Sequence, residues 1–318
     1  MSDRSYAILG TGAIGGFYGA RLQQAGLKVH FLLRSDYEVV RQQGLIVESP
    51  EGNFTLPRVS AYNRAAAMPP CDVAIVALKS TQNHQLPELL PPVLKPNGVV
   101  LVLQNGLGIE AQVASIVGSD RVIGGMCFIC SNKVGAGRIR HLDYGAVSIG
   151  SYAPDERPCG ITMAMGQIAA DFKRAEIPVR PESDLLLARW RKLVWNIPFN
   201  GLSVVLNATT DDLLADEGTR RCAEQLMLET IAVAARYERF IPQEFVGEMF
   251  ALTAKMPAYQ TSMKLDWDAG RPLEVEAILG NPYQAAQKVG ISVPKLEMLY
   301  AQVKFLDRRR RSSTARQK

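Results

Sequence analysis

The chain has 318 residues, of which 47% are hydrophobic, a length beyond one ordinary domain and enough apolar content for two buried cores. Its formal net charge is +5, but six basic residues and no acid lie in the terminal RRRRSSTARQK, which leaves the remainder at −1 and removes the case for a nucleic-acid partner. The opening MSDRSYAILG lacks the basic and apolar stretches of an export signal, and no run of about eighteen apolar residues follows, so a cytoplasmic protein with no membrane span is expected.

In chain order, short apolar strands are expected at 5–9, 28–33, 71–78, 99–103 and 121–128, alternating with helices. That alternation predicts an α/β domain built on a doubly wound, mostly parallel sheet. The first strand runs into Gly10-Thr11-Gly12-Ala13-Ile14-Gly15, a GxGxxG loop opening a helix over 14–25. A structural glycine turn is the bland alternative. The order strand, glycines, helix instead favours a dinucleotide site, with Gly10 making the turn, Gly12 admitting a pyrophosphate and Gly15 allowing close helix packing.

The second strand ends in FLLRSD. Arg34 suits a ribose 2′-phosphate and therefore NADPH, whereas Asp36 could hold a 2′-hydroxyl or cap the next helix. LIVESPEGNFTLPRVSA reads as a β-hairpin with an Asn-containing turn. Lys79 and Asn105 follow the next two strands, where open α/β sheets bind ligands. Lys79 also reads as a snorkelling surface lysine, and Asn105-Gly106 as a simple turn. Cys127 and Cys130 share a CFIC spacing but lack a second ligand pair, and His30, His84 and His141 are scattered, so no metal site is expected. GRIRHLDYGAVSIGSY reads as an added edge hairpin.

From residue 183 the texture becomes helical, with helices expected at 219–238 and 294–305, and the two prolines of IPVRPES mark a boundary between 178 and 183. The expected organisation is a Rossmann-type domain over 1–182, an all-helical domain over 183–307 and a disordered basic tail over 308–318. In WRKLVWNIPFN, Lys192, Asn196 and Asn200 lie four apart and drift about 40° per step, so they form one polar stripe on an otherwise apolar helix that Pro198 should kink. By itself, a lysine after Trp190 and Arg191 reads as a surface charge.

GTGAIG, VALK, QNG, RWRKLVWNIPFN and SMKLDWDAGRPLEVEAILG together resemble, in order, the signature segments of the ketopantoate reductase family over nearly the whole chain. The resemblance implies an active site in a cleft between the two domains and NADPH-dependent reduction of 2-dehydropantoate to (R)-pantoate, on the route to pantothenate and coenzyme A. It makes Lys192 the proton donor and Glu274 an orienting carboxylate. It places Asn105, Asn196, Asn200 and Ser262 on substrate, with Thr210 where several relatives carry a substrate-contacting Asn, and Cys130 where a backbone group touches nicotinamide. Glu276 and Leu279 replace an Asp and an Asn common in the family, which leaves the acyl side chain of the substrate open. Two rivals remain: a paralogue acting on another branched 2-oxo or 2-hydroxy acid, and a non-catalytic NADPH-binding regulator. A homodimer is compatible with the apolar helices of the second half.

Overall fold

The apolar strand SYAIL, buried at every position, becomes the central β1 (Ser5–Leu9) in the computed structural model, which describes residues 3–256 and 259–316. A strand covered on both faces needs no polar alternation, and this one has none. Then follow α1 (Ala13–Gln24), β2 (Lys28–Leu32), α2 (Tyr37–Gln43), β3 (Leu45–Glu48), β4 (Phe54–Leu56), β5 (Ser60–Tyr62) and β6 (Cys71–Val76). The sequence continues with α3 (Leu86–Val93), β7 (Leu94–Val102), α4 (Ile109–Val117), β8 (Val122–Gly135), β9 (Arg138–Ser151), α5 (Met163–Arg174) and β10 (Val179–Pro181).

The sheet order is β4-β3-β9-β8-β7-β6-β1-β2-β5, with β10 added to β9. From β5 through β2, β1, β6 and β7 to β8 every neighbour is parallel. This is the doubly wound dinucleotide-binding order, and its switch point lies between β1 and β6. The expected hairpin over 45–61 forms in its first part, β3 against β4, while β5 leaves it to pair with β2.

GRIRHLDYGAVSIGSY is not an edge hairpin. It is one 14-residue strand, β9, paired antiparallel with the equally long β8 and flanked on its other side by β3 and β10. Tyr144 (φ 62°) and Gly145 (φ 139°) lie at register shifts, which let one strand bend where two strands were expected.

The IPVRPES segment supplies β10, an edge strand in which missing proline N–H groups cost no ladder bond, and Pro178 still accepts from Val147 N–H at 2.8 Å. Contacts therefore divide the chain later than the prolines suggest. One compact unit is Met1–Gln104 with Ile109–Ala188, and the other is Asn105–Gly108 with Arg189–Lys318.

The second unit is helical: most of α6 (Leu185–Val205), then α7 (Thr210–Ala215), α8 (Glu217–Arg236), α9 (Phe245–Ala254) and α10 (Ser262–Asp268), a π-helical turn over Glu276–Gly280, α11 (Asn281–Lys288) and α12 (Pro294–Arg316). Of the tail expected to be disordered, residues 308–316 continue α12 to Arg316, and 317–318 lie outside the described residues. Asp307 accepts from Arg311 one turn on, and the Arg310 guanidinium lies 4.4 Å from the Trp267 ring centroid, so part of the charge run is paired. No helix among the described residues is long and apolar enough to cross a membrane.

Candidate active site

In the first unit the glycine loop is shaped by what surrounds it. Gly10 has φ +102°, and a Cβ there would lie 2.6 Å from the backbone N of Leu78, at the end of β6. At Gly15 an added Cβ would come within 2.3 Å of the Gly10 carbonyl oxygen, so helix and turn meet backbone to backbone. Gly12 differs: nothing lies within 4 Å of its missing Cβ. Two of the glycines close the turn and the third leaves open space beside it.

That space faces the start of α1. No side chain caps its N-terminus and its first turn holds no acid, so the first N–H groups of Ala13, Ile14 and Gly15 keep no intrahelical acceptor. Thr11 Oγ1 donates to the Leu32 carbonyl at 2.9 Å and fixes the loop to the end of β2. An uncapped helix start beside an open glycine is a cradle for a phosphate diester, so these residues fit a dinucleotide.

At the end of β2, Arg34 is exposed; its carbonyl accepts from Tyr37 N–H at 3.2 Å, and its guanidinium has no partner among the described residues. Asp36 is the opposite. It is only 5% exposed, and its carboxylate accepts from Lys133 Nζ at 2.6 Å, Gly137 N–H at 3.0 Å and Ser35 Oγ at 3.0 Å. It stands at the N-cap position of α2 but makes no capping bond. Burial pushes its carboxyl up, yet the Lys133 ammonium and the Gly137 N–H outweigh this and hold it below the ordinary aspartate value.

Lys79 is exposed where β6 gives way to a 3-10 turn over Ser80–Gln85. Sequence reasoning passed over its neighbour in space, Gln104. That amide is 3% exposed and donates to the Leu78 carbonyl at 2.8 Å and to Asn83 Oδ1 at 2.6 Å, tying the end of β7 to the end of β6. The signal was present as the first letter of QNG. Cys130 is buried on β8, and none of the five cysteines is in a disulfide. Among the described residues no group of three or more His, Cys, Asp and Glu side chains could hold a metal ion.

In the second unit α6 carries the polar stripe and is continuous across Pro198. Lys192 is half-buried, whereas Asn196 and Asn200 are 5% and 2% exposed. The two amides differ in what they do. Asn200 Nδ2 donates to the Asn196 carbonyl at 3.0 Å, and its Oδ1 accepts from Met263 N–H at 3.2 Å and Ser262 Oγ at 3.5 Å. Asn200 thus satisfies the N-terminus of α10. Ser203 reinforces the junction, pairing at 2.8 Å with Thr261, the N-cap of α10. The Asn196 side chain has no hydrogen-bond partner among the described residues, so it is the stripe's available amide.

Glu274 is 5% exposed and precedes the π turn, where its carbonyl accepts from Ile278 N–H at 3.1 Å. In the π register the donor to the Ala277 carbonyl is residue 282, a proline with no N–H. The freed Ala277 carbonyl accepts instead from Leu107 N–H at 2.9 Å, and Asn281 Nδ2 donates to the Leu107 carbonyl at 2.7 Å. Gly106 (φ +109°) makes this docking feasible, because a Cβ there would lie 2.4 Å from the same Ala277 oxygen. The half-buried Asn105 is held in this way on the second unit.

Of the departures from the family pattern, Glu276 and Leu279 lie in this same turn and Thr210 begins α7. Thr210 and Leu279 are 1% and 0% exposed, positions that bear on packing. Glu276 pairs with Lys304 at 2.9 Å and accepts from Tyr300 at 2.7 Å, both on α12.

Comparison with known proteins covers both units. Residues 6–154 match the family model described as ketopantoate reductase PanE/ApbA, and residues 184–307 match its C-terminal model. A 2-dehydropantoate 2-reductase from Nostoc sp. is 60% identical over 312 residues, 98% of either chain. The crystal structure of 2-dehydropantoate 2-reductase from Geobacter metallireducens superposes with TM-score 0.90 at 41% identity, covering 94% of this chain and 99% of that one. The structure from Methylococcus capsulatus gives 0.86 at 35%, covering 96% and 97%.

Proposed function

The chain belongs to the ketopantoate reductase family, and from that premise we propose that it reduces 2-dehydropantoate to (R)-pantoate with NADPH in the cytoplasm, serving pantothenate and coenzyme A biosynthesis. The observation that carries this is the full-length likeness to the Nostoc reductase, which spans the glycine cradle and the Lys192 helix alike.

In this reading the loop from Gly10 to Gly15, with Thr11, Ala13 and Ile14, holds the dinucleotide's diphosphate on the start of α1. Arg34 takes the 2′-phosphate, Lys79 and Asn105 lie along the remainder, and the backbone at Cys130 meets the nicotinamide. When bound, NADPH supplies a hydride to C2 of the 2-oxo acid. Lys192 supplies what the carbonyl oxygen then needs. Its ammonium stabilises the developing alkoxide and donates the proton, while Glu274 orients lysine or substrate. Asn105, Asn196 and Ser262 contact the acid, an assignment supported at Asn196 by its unpartnered amide. Asn200 contributes by holding the α10 N-terminus that carries Ser262.

The reading extends to a homodimer, supported by Met298 and Phe305, exposed seven residues apart on α12. Sedimentation at assay concentration checks this. The activity is tested by kcat/KM for 2-dehydropantoate against a panel of branched 2-oxo acids, with NADPH and with NADH. The highest value is expected for 2-dehydropantoate with NADPH, and a better acid or faster NADH overturns the assignment.

A further inference from the structure

The loop after β2 holds two opposite charges, Arg34 and Asp36, that would choose different cofactors. Arg34 suits a phosphate on the adenosine ribose. An available Asp36 would accept a bond from a bare 2′-hydroxyl and repel a 2′-phosphate. The fold removes the conflict by a contact from far along the chain. The tip of the β8–β9 hairpin is pinned against α2 and β3: Gly137 has φ +64°, a Cβ on it would meet the Gly44 oxygen at 3.0 Å, and its carbonyl accepts from Ile46 N–H at 2.9 Å. So fixed, the hairpin delivers the Lys133 ammonium and the Gly137 N–H to the Asp36 carboxylate.

We infer that Lys133 is a specificity-determining residue, a positioning group that makes the chain select NADPH over NADH by holding and neutralising Asp36 2.6 Å from its ammonium. Lys133 acts through Asp36, leaving the 2′-phosphate itself to Arg34. The inference rests on the NADPH reading above and assigns that preference to a second pair of residues. It also explains why the acid two places after Arg34 does not read as a 2′-hydroxyl acceptor: the carboxylate is already engaged by three donors.

The test is a double-mutant cycle read by direct binding. Dissociation constants of the ligand-free protein for NADPH and for NADH are measured by calorimetry for the wild type, Lys133→Met, Lys133→Arg, Asp36→Asn and the Lys133→Met/Asp36→Asn double variant. Steady-state rates accompany them. Lys133→Met should shrink the preference for NADPH by about tenfold, with the loss in Kd and KM for NADPH and little of it in kcat, as expected for one like charge uncovered near a phosphate. Lys133→Arg should retain the preference. Asp36→Asn should retain it too, and the double variant should return to the Asp36→Asn value. An unchanged ratio in Lys133→Met overturns the inference. So does a double variant as impaired as Lys133→Met, which would make Lys133 a direct phosphate ligand. A wild type that binds NADH more tightly overturns the cofactor assignment itself, and that result is in hand before any variant is compared.

Discussion

In the proposed function the glycine loop of the first unit and the polar stripe of the second solve the same problem, presenting polar groups to a small molecule, by different means. The loop uses backbone. Gly10, Gly12 and Gly15 matter for the side chains they lack, and their neighbours lie within a strand and a turn of them or on the adjacent strand end. The stripe uses side chains whose partners are distant in sequence, as Asn200 with Met263 and Ser203 with Thr261 show. A backbone-built site is therefore local and rigid in its demands, whereas a side-chain-built site can look uniform in sequence and divide its labour in space.

The sharpest way to break this comparison is at Lys192. If the stripe's chemistry belongs to that ammonium, Lys192→Ala should lower kcat by roughly three orders of magnitude, in the range seen when a general acid and its charge stabilisation are both lost. NADPH affinity should be nearly unchanged in the same protein. Turnover within a few-fold of wild type would falsify the assignment.

The glycines come next. Gly15→Ala places a Cβ against the Gly10 carbonyl oxygen and should cost about 3 kcal/mol of stability or prevent folding. Gly12→Ala meets nothing within 4 Å, so its melting temperature should match wild type while its NADPH Kd rises about tenfold, because the methyl group fills space reserved for a phosphate. Calorimetric Kd and thermal melts of the two variants decide the matter. Equal losses of stability would show that Gly12, too, serves only the turn.

The two asparagines divide the stripe in the same manner. Asn200→Ala leaves the Met263 N–H without its acceptor inside the core and should destabilise by about 2 kcal/mol in urea unfolding. Asn196→Ala removes an amide that bonds nothing among the described residues, so stability should hold while KM for the 2-oxo acid rises. The opposite pattern would exchange their roles.

What could be read in advance follows the same division. The doubly wound, mostly parallel character of the sheet was legible because each strand is a short apolar run and GxGxxG stands at the head of the alternation. The stripe Lys192, Asn196 and Asn200 was legible because helical spacing alone gathers it. Sequence reasoning missed whatever depends on a distant partner. Nothing local announces that IPVRPES is an edge strand, that 138–151 is one bent strand, or that QNGLG docks on a π turn whose carbonyl Pro282 has set free. The helical start of the basic tail is not announced locally either, because the partner of Arg310 is Trp267 on α10 and that of Arg311 is Asp307, just before the charge run. Asp36 shows the limit most clearly, since its two candidate roles were both local and its actual partner, Lys133, lies 97 residues on.

That pair gives the smallest and most specific effect. Asp36 ionises more readily in the folded chain than an ordinary aspartate does, so its contribution to stability is complete above the unfolded value near pH 4 and is lost as the pH falls through its lower folded value. The stability difference between wild type and Asp36→Asn, taken from urea unfolding, should thus be constant from about pH 7 to 5 and shrink towards pH 3. In the Lys133→Met background the same difference should be smaller from about pH 7 to 5 and vary less towards pH 3, because the ammonium that depresses the carboxyl is gone. A difference that does not vary with pH would mean that the Lys133 contact leaves the Asp36 equilibrium untouched, and the loop after β2 would then owe its order to Gly137 alone.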